Sequence, residues 1–130
     1  MYRFLDQTWQ ERAYLKVPAT VGAHAGAALA IAGDGMRIVV GAPLHNLPAA
    51  QNGQAWQFNA ANGSWQAPLP IVPPGLARND WFGTQVTLSR SGHHLGVASP
   101  AEDTAATGVT HDRDDHSARA AGAVNLFRLQ

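Results

Sequence analysis

The chain has 130 residues, of which 45% are apolar and 14% charged, and nine Lys plus Arg balance nine Asp plus Glu. This composition excludes the disordered class, suffices for one ordinary core, and offers no basic field to attract nucleic acid or an anionic membrane. The chain has no cysteine, which removes disulfides, thiolate metal sites and a Cys nucleophile, and no stretch reads as a transmembrane helix or a signal peptide.

In chain order, alternating apolar and polar residues predict antiparallel strands near 2–5, 8–15, 26–32, 36–41, 54–59, 64–67, 83–89, 94–99 and 122–129. Asp6-Gln7 reads as the turn of a first hairpin. The stretch from Gly26 to Pro43 is a second hairpin about Gly33-Asp34-Gly35, and the stretch from Gly83 to Pro100 is a third about Ser91-Gly92. Between them run a strand ending at Phe58, a turn at Asn62-Gly63, and Trp65-Gln66. Pro68, Pro70, Pro73 and Pro74 follow, which limit pairing and favour an outer edge or a connection. A long polar loop, 101–121, precedes the last strand. Leu29, Ile31, Ile38, Val40, Val86, Leu88, Leu95, Val97, Val124 and Leu126 form the expected buried set, by alternation.

A shift of 57 positions lays Gly26 on Gly83, Leu29 and Ile31 on Val86 and Leu88, Gly35 on Gly92, Ile38 and Val40 on Leu95 and Val97, and Pro43 on Pro100 without a gap. Gly53 to Phe58 is copied by Gly122 to Phe127, and Trp9-Gln10 corresponds to Trp65-Gln66. Four short antiparallel strands recurring at about this period are the signature of a β-propeller blade. The expected fold is therefore all-β, with about two four-stranded blades present. Residues 1–16 are the trailing strands of a preceding blade, 17–72 a first repeat, and 73–130 a second repeat lacking its last strand.

Phe82-Gly83, Gly41-Ala42-Pro43, Gly122-Ala123-Val124-Asn125-Leu126-Phe127 and Trp9-Gln10-Glu11-Arg12-Ala13-Tyr14-Leu15-Lys16 resemble the FG-GAP repeats of bacterial repeat proteins and of integrin α-subunit propellers. The chain departs from that pattern at Ala25-Gly26 and at Ala98-Ser99-Pro100. The resemblance implies a non-enzymatic interaction module within a longer extracellular or cell-envelope protein. Its partners would be a protein or extracellular ligand and further blades, in the same chain or another, with no nucleic acid and no membrane span.

In integrin-like repeats the turn within this hairpin holds Ca²⁺, but here the two turns carry one carboxylate (Asp34) and none, so both are expected to be metal-free. The richest polar stretch offers Glu102, Asp103, Asp112, Asp114 and Asp115 as a weak calcium-site candidate, with His111 and His116 as added nitrogen donors. It is read as a solvated connector built on Asx and ST turns, so no cofactor is expected. Trp9, Trp65 and Trp81 are candidate sugar-stacking residues, which would make the chain a lectin-like propeller; inter-blade packing is their ordinary role. A hydrolase on this scaffold is the third reading. No nucleophile elbow, paired carboxylate or metal-His motif supports it, and no catalytic residue is assigned.

Overall fold

A computed structural model of the chain describes residues 1–46, 51–109 and 115–130. These residues form ten β-strands and no helix, and every ladder between strands is antiparallel. Strands β1 (Tyr2–Leu5) and β2 (Thr8–Glu11) make a hairpin turned by Asp6 and Gln7, at φ 49° and 61°. Two positive-φ residues match the twist of the strands they join. The first large sheet runs β3 (Ala28–Ile31), β4 (Arg37–Ala42), β5 (Gln54–Ala61), β6 (Ser64–Trp65), and β7 (Leu69–Ile71) also pairs with β5. The second runs β8 (Gln85–Leu88), β9 (His94–Ser99), β10 (Ala123–Arg128).

The internal repeat is reproduced bond by bond. Gly26 N–H donates to Gly41 O at 3.0 Å and Gly83 N–H to Ala98 O at 3.1 Å; Ala32 N–H to Arg37 O at 2.9 Å and Ser89 N–H to His94 O at 2.8 Å. Gly35 donates to Ala32 and Gly92 to Ser89, both at 2.9 Å. His45 to Ala42 is matched by Glu102 to Ser99, and Gly53 to His45 by Gly122 to Glu102. Even the strained positions recur: His24 and Trp81, two residues before the paired glycines, sit at φ 53° and 57°. Side chains of this size enter the left-handed region only where surrounding contacts hold them there.

Each sheet has two faces, set by the pleat. Ile38, Trp56 and Phe58 lie on one face of the first sheet and pack with Val17, Ala23 and Ala42. Val39 and Ala55 lie on the opposite face and cluster with Leu95 and Val97 of the second sheet, with Phe82 from the segment before β8 and with Ile71. The seam between the sheets is tight because Gly41 and Gly53 leave no side chain in the way. A Cβ on Gly41 would collide with the carbonyl oxygen of Gly83 and stand 2.9 Å from its carbon, and one on Gly53 would stand 2.5 Å from Phe82 N. Phe82 is fully buried there, its ring edge-on to Phe127 at 6.1 Å and its N–H donated to Asn52 O at 3.0 Å.

Several expectations need correction. The strand expected over 8–15 stops at Glu11, because Arg12 and Ala13 turn their N–H groups onto the carbonyl of Met1. No strand was expected at Leu69–Ile71, yet β7 pairs with β5 there, with Pro70 opposite Trp56 at an outer edge, the position its missing N–H favours. Of the expected core, Ile38, Leu95 and Val97 are buried and Val40, Val86 and Leu88 partly so. Leu29 (62% exposed), Ile31 (50%), Val124 (68%) and Leu126 (84%) are not. In β10 the alternation holds, but the inward face is Asn125 and Phe127, so Val124 and Leu126 point away from the seam. Leu29 and Ile31 share a face with Ile38, but they stand on the edge strand β3, while Val17 and Ala23 pack with Ile38, Ala42, Trp56 and Phe58 over β4 and β5.

Candidate functional site

The two uncovered faces are the most distinctive surfaces among the described residues. On the outer face of the first sheet, Leu29, Ile31, Ile38 and Val40 floor a groove of about 840 Å³ walled by Leu15 and Tyr2. On the outer face of the second sheet, Thr87, Gly96 and Leu126 line a shallower groove of about 560 Å³, with the exposed Val124 on the same side. These exposed aliphatic side chains are gathered on one sheet face rather than scattered singly over the surface.

These faces are related by the repeat. Val86 and Leu88, which cover the seam from the second sheet, occupy the positions of Leu29 and Ile31. Val39 and Ala55, which receive them from the first sheet, occupy the positions of Gly96 and Val124. The open faces are thus the unused halves of the joint that the seam already makes once.

The second notable feature is polar. Asp80, Ser99, Glu102 and Asn125 are 2%, 1%, 8% and 4% exposed. Their equivalents in the first repeat are Ala23, Ala42, His45 and Trp56, where the His45 ring stands edge-on to Trp56 at 5.0 Å. Asp80 accepts the Ala77 N–H at 2.7 Å, and Asn125 Nδ2 donates to Ser99 Oγ at 3.4 Å. Burial raises the Asp80 carboxyl above its ordinary value, and the charges of Glu102 and Asp103 add to that rise, against a lowering by the Ala77 hydrogen bond and His116. Glu102 Oε2 and Asn125 Oδ1 are buried without a hydrogen-bond partner among the described residues. His45 shifts the other way, burial favouring its neutral form, whose Nδ1 accepts the Thr20 N–H at 3.2 Å.

Of the calcium candidates, Glu102 is buried, Asp103 Oδ1 accepts the Ala120 N–H at 2.7 Å, and Asp115 caps Ser117 N at 2.9 Å and Ala105 N at 3.3 Å. The Ser117 bonds hold the Asp115 carboxyl below its ordinary value. Asp112, Asp114 and His111 lie outside the described residues. Among the described residues no three His, Asp or Glu side chains gather as a metal-binding group. In the first hairpin turn Asp34 Oδ1 accepts the Met36 N–H at 2.9 Å.

The tryptophan candidates are dispersed over three settings. Trp9 is 69% exposed on β2 and tilts against Phe4 at 5.2 Å; Trp65 packs on the first core; Trp81 is 41% exposed in the turn before Phe82. The pair closest to a base beside a hydroxyl is His45 Nδ1 and Thr20 Oγ1 at 3.3 Å, which sits with the first core against Trp56. Of this quartet the sequence singled out only Glu102, as a calcium candidate, and not Asp80, Ser99 or Asn125. The signal lies in the repeat itself, where Ala23, Ala42, His45 and Trp56 give way together to Asp80, Ser99, Glu102 and Asn125. Set against known proteins, no family model matches the chain, and no curated protein matches it significantly.

Proposed function

We propose that the chain is a non-enzymatic interaction module of the FG-GAP kind, its two large sheets being neighbouring blades of a β-propeller, within a longer extracellular or cell-envelope protein. The observation that carries this reading is the doubled set of turn hydrogen bonds and positive-φ positions, joined through one tight seam and flanked by two open apolar faces. A unit of this type completes its core only by stacking on like units, and its loops then gather as a contact surface. The partners are further blades across the open faces and a protein or extracellular ligand at the loops. A lectin-like role is the second reading, favoured by the exposure of Trp9 and Trp81.

Two measurements on the same preparation separate these readings. The immobilised chain is run against purified extracellular proteins, and its tryptophan fluorescence is followed with a glycan panel. A protein ligand with no glycan response supports the leading reading. A fluorescence change abolished by Trp81→Ala or Trp9→Ala transfers the chain to the lectin class, and turnover of a hydrolase substrate panel overturns both.

A further inference from the structure

We infer that the occupant of each open face is a second copy of this chain, docked head to tail. The inference rests on the interaction-module reading and names its partner. The groove over Leu29 and Ile31 and the groove beside Gly96 and Leu126 are the two halves of the joint between the sheets. One copy therefore carries both what the joint presents and what it receives. A second copy that sets Leu29 and Ile31 on Gly96, Val124 and Leu126 repeats what Val86 and Leu88 do on Val39 and Ala55. A second copy is therefore matched to both faces at once. A formal net charge of zero raises no long-range barrier between copies.

One residue makes the repeat of the joint imperfect. Gly41 lets the Gly83 turn approach the first sheet, but its equivalent on the outer face is Ala98. In the docked pair the Ala98 methyl would press on the partner copy's turn at the position of Gly26. That turn is open to a partner, since a Cβ on Gly26 would meet nothing within 4 Å, whereas a Cβ on Gly83 would stand 2.6 Å from Gln54 O across the seam. Gly96, in the place of Val39, removes side-chain volume two residues from Ala98. Association is consequently weaker than the internal seam, and Ala98 is the residue that sets its strength.

The two faces differ, so the contact is heterologous, and successive copies add in one direction until a ring closes. The test follows from that asymmetry. Sedimentation or light scattering should show the mass of the chain rising with concentration. A variant carrying Leu29→Asp and Ile31→Asp, and another carrying Val124→Asp and Leu126→Asp, should each be monomeric, since each blocks one face. Mixed together they should form a heterodimer and nothing larger, because each retains the face the other has lost. All four side chains are half or more exposed, and unchanged circular dichroism confirms the fold. Ala98→Gly should tighten association about tenfold, the effect of roughly 1.4 kcal/mol.

A monomer at every concentration, a mixture that stays monomeric, or an Ala98→Gly chain that associates no better overturns the inference. A chain that stays monomeric yet binds a protein on the biosensor keeps the interaction-module reading and loses only self-docking.

Discussion

Replacing Gly41 by alanine adds one methyl group, and the structure says what that group meets. The carbonyl oxygen, carbonyl carbon and Cα of Gly83 all lie inside ordinary contact distance, the last two at 2.9 and 3.3 Å. All three are backbone atoms, so no rotamer change relieves the clash. The sheets must part at that point, which loosens Val39 and Ala55 against Leu95, Val97 and Phe82. Overpacking of this kind costs about 1–3 kcal/mol, with the upper half expected where backbone must move. The gain from replacing a strand glycine, roughly 0.5–1 kcal/mol, offsets part of it. The net expectation is a loss of about 2 kcal/mol. Gly96→Ala is the matched control: its methyl would meet only Thr87 Cγ2 at 3.0 Å and Leu126 Cδ2 at 3.7 Å, flexible side chains on an open face. Urea unfolding followed by tryptophan fluorescence should show Gly41→Ala strongly destabilised and Gly96→Ala within about 1 kcal/mol of the parent. If Gly41→Ala proves as stable as the parent, or the control is equally damaged, the seam is not closed by glycine approach.

Phe82→Ala empties a fully buried position beside Phe127, and should cost about 3–5 kcal/mol in the same assay, with Phe82→Leu keeping most of the stability. His45 has its value lowered by burial, so its contribution is present above the ordinary 6.5 and is lost as pH falls through the lowered folded value; melting temperature should drop over that window, and His45→Phe should flatten the drop. Asp80 has the opposite sign. Its raised value means that its contribution is full below the ordinary 3.8 and is lost as pH rises through the folded value, so Asp80→Asn should gain on the parent toward neutral pH, measured by urea titration at acid and neutral pH. Calcium titration with thermal melting tests the acidic loop: the connector reading expects no shift, and stabilisation abolished by Asp112→Ala with Asp114→Ala would make it a metal site.

The hairpins were legible because their signals are local. Alternation at Ile38 and Val40 and at Leu95 and Val97, and glycines at 35 and 92, are set by pleat and turn geometry alone, and the strands appear there. Burial was less legible, because alternation says which residues share a face and not whether anything covers that face. Val124 and Leu126 show the difference. They alternate correctly and still point outward, since the aromatic ring that reaches the seam is Phe127 and the residue beside it is Asn125. A polar residue at an inward position reads from sequence as an outward one, so Asn125 reversed the assignment of the whole strand.

That same reversal explains how the two repeats divide their work. In the first repeat the cluster at this position is apolar, with Trp56 under His45 and Ala23 beside Ala42. In the second the equivalent cluster lies buried and polar, with the side-chain bonds of Asp80 and Asn125 made and, among the described residues, the acceptor oxygens Glu102 Oε2 and Asn125 Oδ1 left without partners. Unpartnered buried acceptors cost roughly 1–3 kcal/mol each, so this end of the second repeat is the weaker one. The Gly41, Gly53 and Phe82 approach and the Val39, Leu95 and Val97 contacts hold the opposite balance, being close and apolar, with Phe82, Val39, Leu95 and Val97 buried. Stability is therefore concentrated along the seam's apolar strip and thinned at its polar corner, next to the 101–121 loop. Opening that begins at Asp80 and Glu102 can proceed without breaking the strip, and amides at Glu102 and Gly122 should accordingly exchange with deuterium before those of Val39 and Val97.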